Sequence, residues 1–506
     1  MAEVHSSSRR AGSGAVAIAG AKTYFIVCGY AVQFLLPRFL ENKAAFGRFA
    51  SVMNLASIIN NVLVVATIQT VSKFVSEEPS YGDVRLRQGL KGQLWIGLLL
   101  CAALVLGGPS LARDVLLDNA LEPLIQTISI VMLAYALYAA LVGYLNGMHR
   151  FVPQAGLDVT FSTLRTCGIL GAAGLGYGAL GAMTGFAGAA VAILIVAILV
   201  VGLGERGKPI SWRRWLKFSV PLWMYQIFLN GIMQIDLLVL KRTVAELAMK
   251  NHIDAHQAAE LASRYVGEYR AAQTFAFVPY QLILAVAFVL FPMVSKASSS
   301  GDILATRQTI RSALRFSLIV VLAIAAPVAG AARGVLRLAY PAGYVTAAGA
   351  LEILAFGIAA LALFVIAATA LSGSGNPGKS ASIAAIALVI VIGLNRIFVR
   401  MAGIGNHTLE AAALGTTLGT GFALVLIAIV IRAAYGACLP LPTVARSGLA
   451  ATLAFWTSHL IPHGHALSSL LALIVGGLVY LGSLASVGEF KRHELHSAVK
   501  WLKRYH

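Results

Sequence analysis

Long apolar stretches separated by short polar segments make up nearly the whole chain. An α-helix needs about 20 apolar residues to cross the hydrocarbon core of a bilayer. By that measure the pattern predicts fourteen membrane-spanning helices, at residues 14–37, 49–72, 93–112, 122–146, 155–175, 179–202, 217–240, 268–293, 312–332, 346–371, 380–399, 408–432, 444–462 and 467–487. An even number of spans places both termini on one side. We therefore predict an all-α integral membrane protein.

Short sequence patterns recur along the chain in the same order and at a nearly constant distance of 220 to 227 residues. The matching segments are 136–147 and 362–373, 176–178 and 403–405, and 46–49 and 266–269. Each copy holds six predicted spans, and an even number lets both copies keep the same orientation in the membrane. The repeat predicts two parallel-related six-helix lobes, 1–205 and 206–435, followed by two C-terminal helices and a basic tail in 436–506.

Polar side chains inside apolar spans are costly in lipid, so they usually face the interior of a helix bundle or water. In the seventh span Gln226, Asn230 and Gln234 follow at steps of four, which places them on one helical face. The first and second spans are equivalent to the seventh and eighth by the repeat, and all four carry polar residues. The candidate substrate-binding residues are Lys22, Arg38, Asn54, Asn61, Arg165, Gln226, Asn230, Gln234, Asp236, Arg270 and Gln273.

A plainer interpretation of these residues stays open. Asn and Gln side chains also tie neighbouring membrane helices together, and Arg38 and Arg270 have side chains long enough to reach the outer interface. Arg165 either pairs with Asp158 on the same helix or faces the cavity.

Composition and charge narrow the class of protein. With 58% hydrophobic and 12% charged residues, the chain has too little polar surface for a soluble protein of 506 residues. The net charge of +19 does not indicate a nucleic-acid partner, because no basic soluble domain is present. Instead, 24 of the 39 Lys and Arg residues lie on the side of the termini, which the positive-inside rule assigns to the cytoplasm.

Four segments resemble the Wzx-type polysaccharide flippases of the multidrug/oligosaccharidyl-lipid/polysaccharide exporter (MOP) superfamily: 36–39, 46–49, 219–238 and 267–296. The resemblance implies a cavity between the two lobes and transport by alternating access. It also implies that the cargo is an undecaprenyl-pyrophosphate-linked oligosaccharide, carried across the bacterial inner membrane for O-antigen, other lipopolysaccharide or exopolysaccharide synthesis. The related MurJ-type lipid II flippases use cationic residues in a cavity lined by helices one, two, seven and eight.

The same resemblance implies a monomeric transporter rather than an enzyme, without a cofactor or metal. Its partners are then the lipid-linked glycan, membrane lipids, and polysaccharide polymerase or glycosyltransferase machinery. Proton or sodium coupling through Asp236 stays open. Two alternatives within the superfamily are a lipid II flippase and a drug or ion antiporter. A further alternative is a membrane-embedded glycan polymerase or ligase, whose catalytic residues would need the one long outer loop predicted, 241–265.

Overall fold

The computed structural model describes residues 2–299, 302–374, 376–436, 439–462 and 464–489. Within these residues the chain forms sixteen α-helices and no β-strand, which confirms the predicted all-α fold. The helices are α1 (Ala2–Phe39), α2 (Lys43–Glu77), α3 (Gly82–Ser110), α4 (Glu122–Gly147), α5 (Phe151–Gly174), α6 (Gly178–Val201), α7 (Trp212–Lys250), α8 (Ala255–Ala276), α9 (Val278–Ser299), α10 (Ile303–Gly330), α11 (Ala332–Ala339), α12 (Ala348–Gly373), α13 (Pro377–Ala402), α14 (Thr408–Tyr435), α15 (Leu441–Leu460) and α16 (Ala466–Ser486). Short helical turns occupy Pro79–Tyr81, Leu111–Val115, Asn119–Leu121 and Ala342–Ala347.

Ten helices in the described residues are long and apolar enough to cross a membrane, so the predicted count of fourteen spans is not confirmed. The predicted eighth span, 268–293, is divided between α8 and α9. Pro279 lies at the break: proline has no backbone N–H to donate and favours the first turn of a helix. It stands at the second position of α9.

The described residues fall into two compact units, which lie within the ranges Met1–Arg270 with Val399–Gly405 and Ala271–Phe398 with Asn406–His506. Packing defines these units, whereas sequence repetition defines the predicted lobes. The lobe boundaries at 205 and 435 therefore stay a prediction.

One deeply buried helix lies at the centre of each unit. In the first unit α4 packs against α2, α3 and α6, while α5 packs against α1 and α6. In the second unit α12 packs against α9, α10 and α14. Both central helices have 26 residues, and they begin and end 226 positions apart. The spacing of the sequence repeat is therefore present in the bounds of the helices as well.

The two C-terminal helices belong to the second unit. Both α15 and α16 pack against α10, and small side chains allow the close approach that membrane helices favour. Ala326 of α10, Ala450 and Ala454 of α15, and Tyr480 and Leu484 of α16 form one buried apolar cluster. This cluster fixes the C-terminal pair to α10.

Candidate functional site

Polar side chains pair along the contact between α2 and α7. Asn61 Nδ2 donates a hydrogen bond to Asn230 Oδ1 at 2.8 Å, and the hydroxyls of Thr70 and Ser219 lie 3.1 Å apart. The residue numbers rise along α2 as they fall along α7, so the two helices are antiparallel. Because unpaired polar groups are costly away from water, these pairs hold the two helices together.

The amide side chains predicted on the seventh span extend this contact. Asn230 Nδ2 donates to the backbone oxygen of Gln226 at 2.9 Å and also lies 3.3 Å from its Oε1. Gln234, one turn further on, has a buried Oε1 that accepts no hydrogen bond in the described part of the chain. The structure therefore brings Asn61, Asn230 and Gln226 into one network and leaves an acceptor available at Gln234.

Arg270 and Asn54 join α8 to α2. The Nη1 atom of Arg270 donates to Asn54 Oδ1 at 3.2 Å. Asn54 is buried, and its Nδ2 has no acceptor among the described residues. Two predicted site residues from distant parts of the sequence are thus in direct contact, and the Asn54 amide keeps a donor that is open to a ligand.

Asp236 contacts Tyr269 of α8. It is buried, its Oδ2 accepts a hydrogen bond from the Tyr269 hydroxyl at 2.9 Å, and its Oδ1 accepts one from the Leu237 N–H at 2.8 Å. The bond from Tyr269 ties α8 to α7.

The cationic residues of α1 and α5 form a second group. Lys22 Nζ lies 2.8 Å from Asp158 Oδ2, and 55% of the Lys22 side chain is exposed. Arg165 does not take Asp158 as its ion-pair partner. Its guanidinium lies over the ring of Phe25 at 4.5 Å, in a cation–π contact. The packing of α1 against α5 therefore gives Asp158 to Lys22, and the cavity-facing alternative for Arg165 stays a prediction.

The remaining two predicted residues lie elsewhere. Arg38 is exposed in the last turn of α1. Gln273 is fully buried in α8, in the part of that helix that belongs to the second unit.

Sequence reasoning missed a buried ionic cluster, formed by Arg48, Asp118, Lys241 and Ser263. Lys241 is fully buried, and its Nζ lies 2.8 Å from Asp118 Oδ2 and donates to Ser263 Oγ. Ser263 in turn donates to Asp118 Oδ2 at 2.9 Å, and Arg48 Nε lies 3.3 Å from the same oxygen. One carboxylate is therefore shared by two cations that belong to α2 and α7.

Residues 241–265, predicted as the one long outer loop, are helical apart from a short turn, and treating them as a loop concealed this cluster. The structure continues α7 to Lys250 and begins α8 at Ala255, so only residues 251–254 form a turn. The charges of Lys241 and Arg242 end the apolar run, although the buried positions Leu237, Val244 and Ala248 keep the helical spacing beyond it. That spacing was the signal available in the sequence.

The electrostatics of Asp118 follow from this arrangement. Burial alone raises the pKa of its carboxyl, but the charge and hydrogen bond of Lys241, together with Arg48 and Ser263, hold the pKa below its ordinary value. Asp118 is consequently ionised at neutral pH and neutralises Lys241.

Close to this cluster, α2 and α8 touch at two glycines. A Cβ atom at Gly47 would overlap the carbonyl of Ser263, and a Cβ atom at Gly267 would overlap the carbonyl of Lys43. Gly47 thus contacts Ser263, four positions before Gly267, and Gly267 contacts Lys43, four positions before Gly47. A local two-fold axis between α2 and α8 produces this reciprocal pattern. Gly47 and Gly267 are also equivalent in the sequence repeat, 220 positions apart. The ion pair of Lys43 with Glu268 strengthens the same contact.

The side chains brought together here can bind polar and anionic groups. Amide groups offer donors and acceptors for hydroxyls, and Lys and Arg recognise phosphate through charge-assisted hydrogen bonds. Within the described residues no three His, Cys, Asp or Glu side chains are grouped to hold a metal. The segment that the polymerase or ligase alternative required as a loop is part of two helices.

Comparisons with known proteins agree with this description. A family model described as "Polysaccharide biosynthesis protein" matches residues 12–298, more than half of the chain. No curated protein sequence matches significantly.

Among solved structures, the lipid II flippase MurJ in an inward closed conformation superposes with a TM-score of 0.70 at 16% identity, over 92% of this chain and 97% of that one. An inward-facing multidrug resistance MATE family transporter of the MOP superfamily gives a TM-score of 0.65 at 17% identity, over 82% and 94%. A MOP superfamily transporter from Pyrococcus furiosus gives 0.59 at 16% identity, over 84% and 95%. The chain therefore belongs to the polysaccharide biosynthesis protein family and has the fold of the MOP-superfamily transporters.

Proposed function

We propose that this protein moves an oligosaccharide linked to undecaprenyl pyrophosphate from the cytoplasmic to the outer leaflet of a bacterial inner membrane. Membership of the family supports a transporter that serves polysaccharide synthesis. The fold shared with a lipid II flippase supports a lipid-linked cargo. O-antigen, other lipopolysaccharide and exopolysaccharide precursors all have this chemistry.

The observation that carries the proposal is the set of amide and cationic side chains placed on otherwise apolar helices. A pyrophosphate with attached sugars cannot enter hydrocarbon without polar partners, because its charges and hydroxyls would be left unsatisfied. Asn54 Nδ2 and Gln234 Oε1 supply a buried donor and a buried acceptor for hydroxyls. Lys22 supplies a positive charge that is still half exposed beside Asp158.

Charge also gives the movement a direction. An inside-negative membrane potential favours outward movement of an anion by about 2.3 kcal/mol per charge per 100 mV. The two lobes alternate in opening to either side while the polyprenyl tail stays in lipid. Asp236, which the sequence offers for proton or sodium coupling, is engaged with Tyr269, so the proposal assigns it to holding α7 and α8 together. The working form is a monomer that receives cargo from glycosyltransferases and passes it to a polymerase.

A cellular test uses the double variant Lys22→Ala/Arg270→Ala in the host of this protein. We expect loss of the surface polysaccharide and accumulation of its lipid-linked precursor, with normal amounts of the variant protein in the membrane. The matched control is Arg264→Ala, since Arg264 lies on the same helix as Arg270 and its side chain is 61% exposed. Unchanged surface polysaccharide in the double variant at a normal protein level contradicts the proposal.

Lipid II is a second candidate cargo, favoured by the match to MurJ over nearly the whole length of both chains. It carries the same pyrophosphate on the same class of lipid, so the cationic residues serve it equally well. Depletion of the protein distinguishes the two cargoes: cell lysis with accumulated lipid II indicates a lipid II flippase, and loss of surface polysaccharide with an intact wall indicates the proposed function.

A further inference from the structure

A cavity of about 430 Å³ opens at one end of the second unit, between α10, the start of α15 and the residues that follow α16. Three arginines line it: Arg311 and Arg315 from α10, and Arg446 from α15. Glu489 is the one acidic side chain among the lining residues. We call these four residues the arginine pocket.

Glu489 is fully engaged within the arginine pocket. Its Oε1 accepts hydrogen bonds from Arg315 Nε at 2.8 Å and from the Thr443 hydroxyl at 2.7 Å, and its Oε2 accepts one from Arg446 Nη1 at 3.1 Å. Arg315 also donates to the backbone oxygen of Glu489 at 2.6 Å. These bonds hold the carboxylate in place between α10 and α15, so it neutralises one positive charge and is not available to a ligand.

Arg311 supplies positive charge that this carboxylate does not neutralise. It lies one helical turn before Arg315, on the same side of α10, and its side chain is exposed. Within the part of the chain that the structure describes, Arg311 joins no ion pair. Three guanidinium groups therefore face one carboxylate, and guanidinium groups bind phosphate oxygens in a bidentate manner. The N-terminus of α15 adds a partial positive charge at the cavity.

Apolar side chains next to the cavity are exposed. Next to the lining residues in the sequence, Phe316 follows Arg315 on α10, Leu441 follows Pro440, and Val444 follows Thr443 on α15. Leu441 is 81% exposed. Free phosphate would use the arginines alone, whereas a phospholipid uses both the arginines and the apolar surface of α15.

We propose that the arginine pocket binds the phosphate group of an anionic glycerophospholipid from the surrounding bilayer, with the acyl chains lying along α15. The site is separate from the candidate site for cargo, because its residues come from α10, α15 and the residues that follow α16. The proposal therefore does not depend on the identity of the cargo. A lipid bound there bridges α10 and the C-terminal pair of helices.

The experiment is native mass spectrometry of the full-length protein in a non-ionic detergent, titrated with phosphatidylglycerol or with phosphatidylcholine. We expect the wild type to retain one phosphatidylglycerol and to bind phosphatidylcholine at least about tenfold more weakly, because only the first carries net negative charge. The double variant Arg311→Gln/Arg446→Gln removes two charged donors, so its affinity for phosphatidylglycerol falls about tenfold or more. The control Arg213→Gln/Lys217→Gln, which removes two exposed positive charges of α7 and so makes the same change in charge, keeps wild-type affinity.

Arg446→Gln also removes a partner of Glu489, so folding is checked separately. Arg311→Gln alone breaks no ion pair in the described chain, and its melting temperature without lipid should match the wild type. Its affinity for phosphatidylglycerol still falls about threefold or more. Equal affinity of Arg311→Gln and wild type, or equal binding of both lipids, overturns the proposal. Displacement of the lipid by millimolar inorganic phosphate identifies a free-phosphate site and also overturns it.

Discussion

Replacing Lys241 by methionine removes one positive charge from a site without access to water and keeps nearly the same side-chain volume. Lys241 Nζ lies 2.8 Å from Asp118 Oδ2, and the exposed fractions of the two side chains are 0% and 2%. At that separation two unit charges attract each other by about 6 kcal/mol if the effective dielectric constant is about 20. Desolvation of both groups offsets much of this attraction.

The net loss in the free energy of unfolding is set by the charge of Asp118, which the substitution leaves in place. Breaking a buried ion pair by removing one partner typically costs about 3–5 kcal/mol, because the other charge is left uncompensated. Arg48 is still 3.3 Å from Asp118 and compensates part of the loss. We therefore expect Lys241→Met to lower the free energy of unfolding by about 3 kcal/mol, at the lower end of that range.

The assay is unfolding in mixed micelles, followed by tryptophan fluorescence as the fraction of denaturing detergent rises. Asp118→Asn and the double variant Lys241→Met/Asp118→Asn complete a double-mutant cycle. Because the double variant leaves neither member of the pair charged, we expect it to be more stable than the sum of the single changes predicts, by about 1.5 kcal/mol or more. A loss below about 1 kcal/mol for Lys241→Met, or additive effects, refutes the reasoning.

Three further predictions concern the pKa of Asp118, the glycine contact between α2 and α8, and the hydrogen bond between Asn61 and Asn230. The pKa of Asp118 is lower in the folded protein than its ordinary value of 3.8, so its stabilising contribution is present above that pH and is lost as pH falls through the folded pKa. The melting temperature should fall as pH drops below about 3.8, and it should fall less steeply in Asp118→Asn; parallel curves contradict the assignment. Gly47→Ala forces α2 away from α8 and should lower the melting temperature. The control Gly107→Ala should not lower it, because Gly107 has open space around it. Equal melting temperatures of the two variants count against the contact. Asn61→Ala and Asn230→Ala should show a coupling of about 1 kcal/mol in unfolding titrations, as one hydrogen bond provides, and additive losses contradict the pairing.

Apolar length and repetition were sufficient to predict the central helices. The fourth span was predicted at 122–146, and α4 is Glu122–Gly147. A long uncharged run bounded by polar segments is long enough to cross the bilayer as a single helix. The end of the seventh helix was not predictable in this way. Lys241 interrupts the apolar run, and it is buried within α7 beside Asp118, 123 positions earlier, which accepts its charge.

In the candidate site, too, some features were predictable from the sequence and others were not. The polar stripe on α7 followed from helical spacing, and the structure pairs two of its residues with each other and one of them with Asn61 of α2. The ion-pair partner of Asp158 depends on how α1 packs against α5, and the sequence alone contains no rule for that choice. Lys22, rather than Arg165, takes that place.

Transport of a lipid-linked glycan is tested most directly with purified protein in proteoliposomes that contain undecaprenyl-pyrophosphate-linked oligosaccharide. The measurement is the fraction of glycan accessible from outside, by a lectin or an added glycosidase, as a function of time. We predict rapid exchange between leaflets with the glycan still attached to its lipid, slowed in Lys22→Ala/Arg270→Ala and normal in Arg264→Ala. Exchange no faster than in protein-free liposomes, or release of glycan from the lipid, contradicts the account.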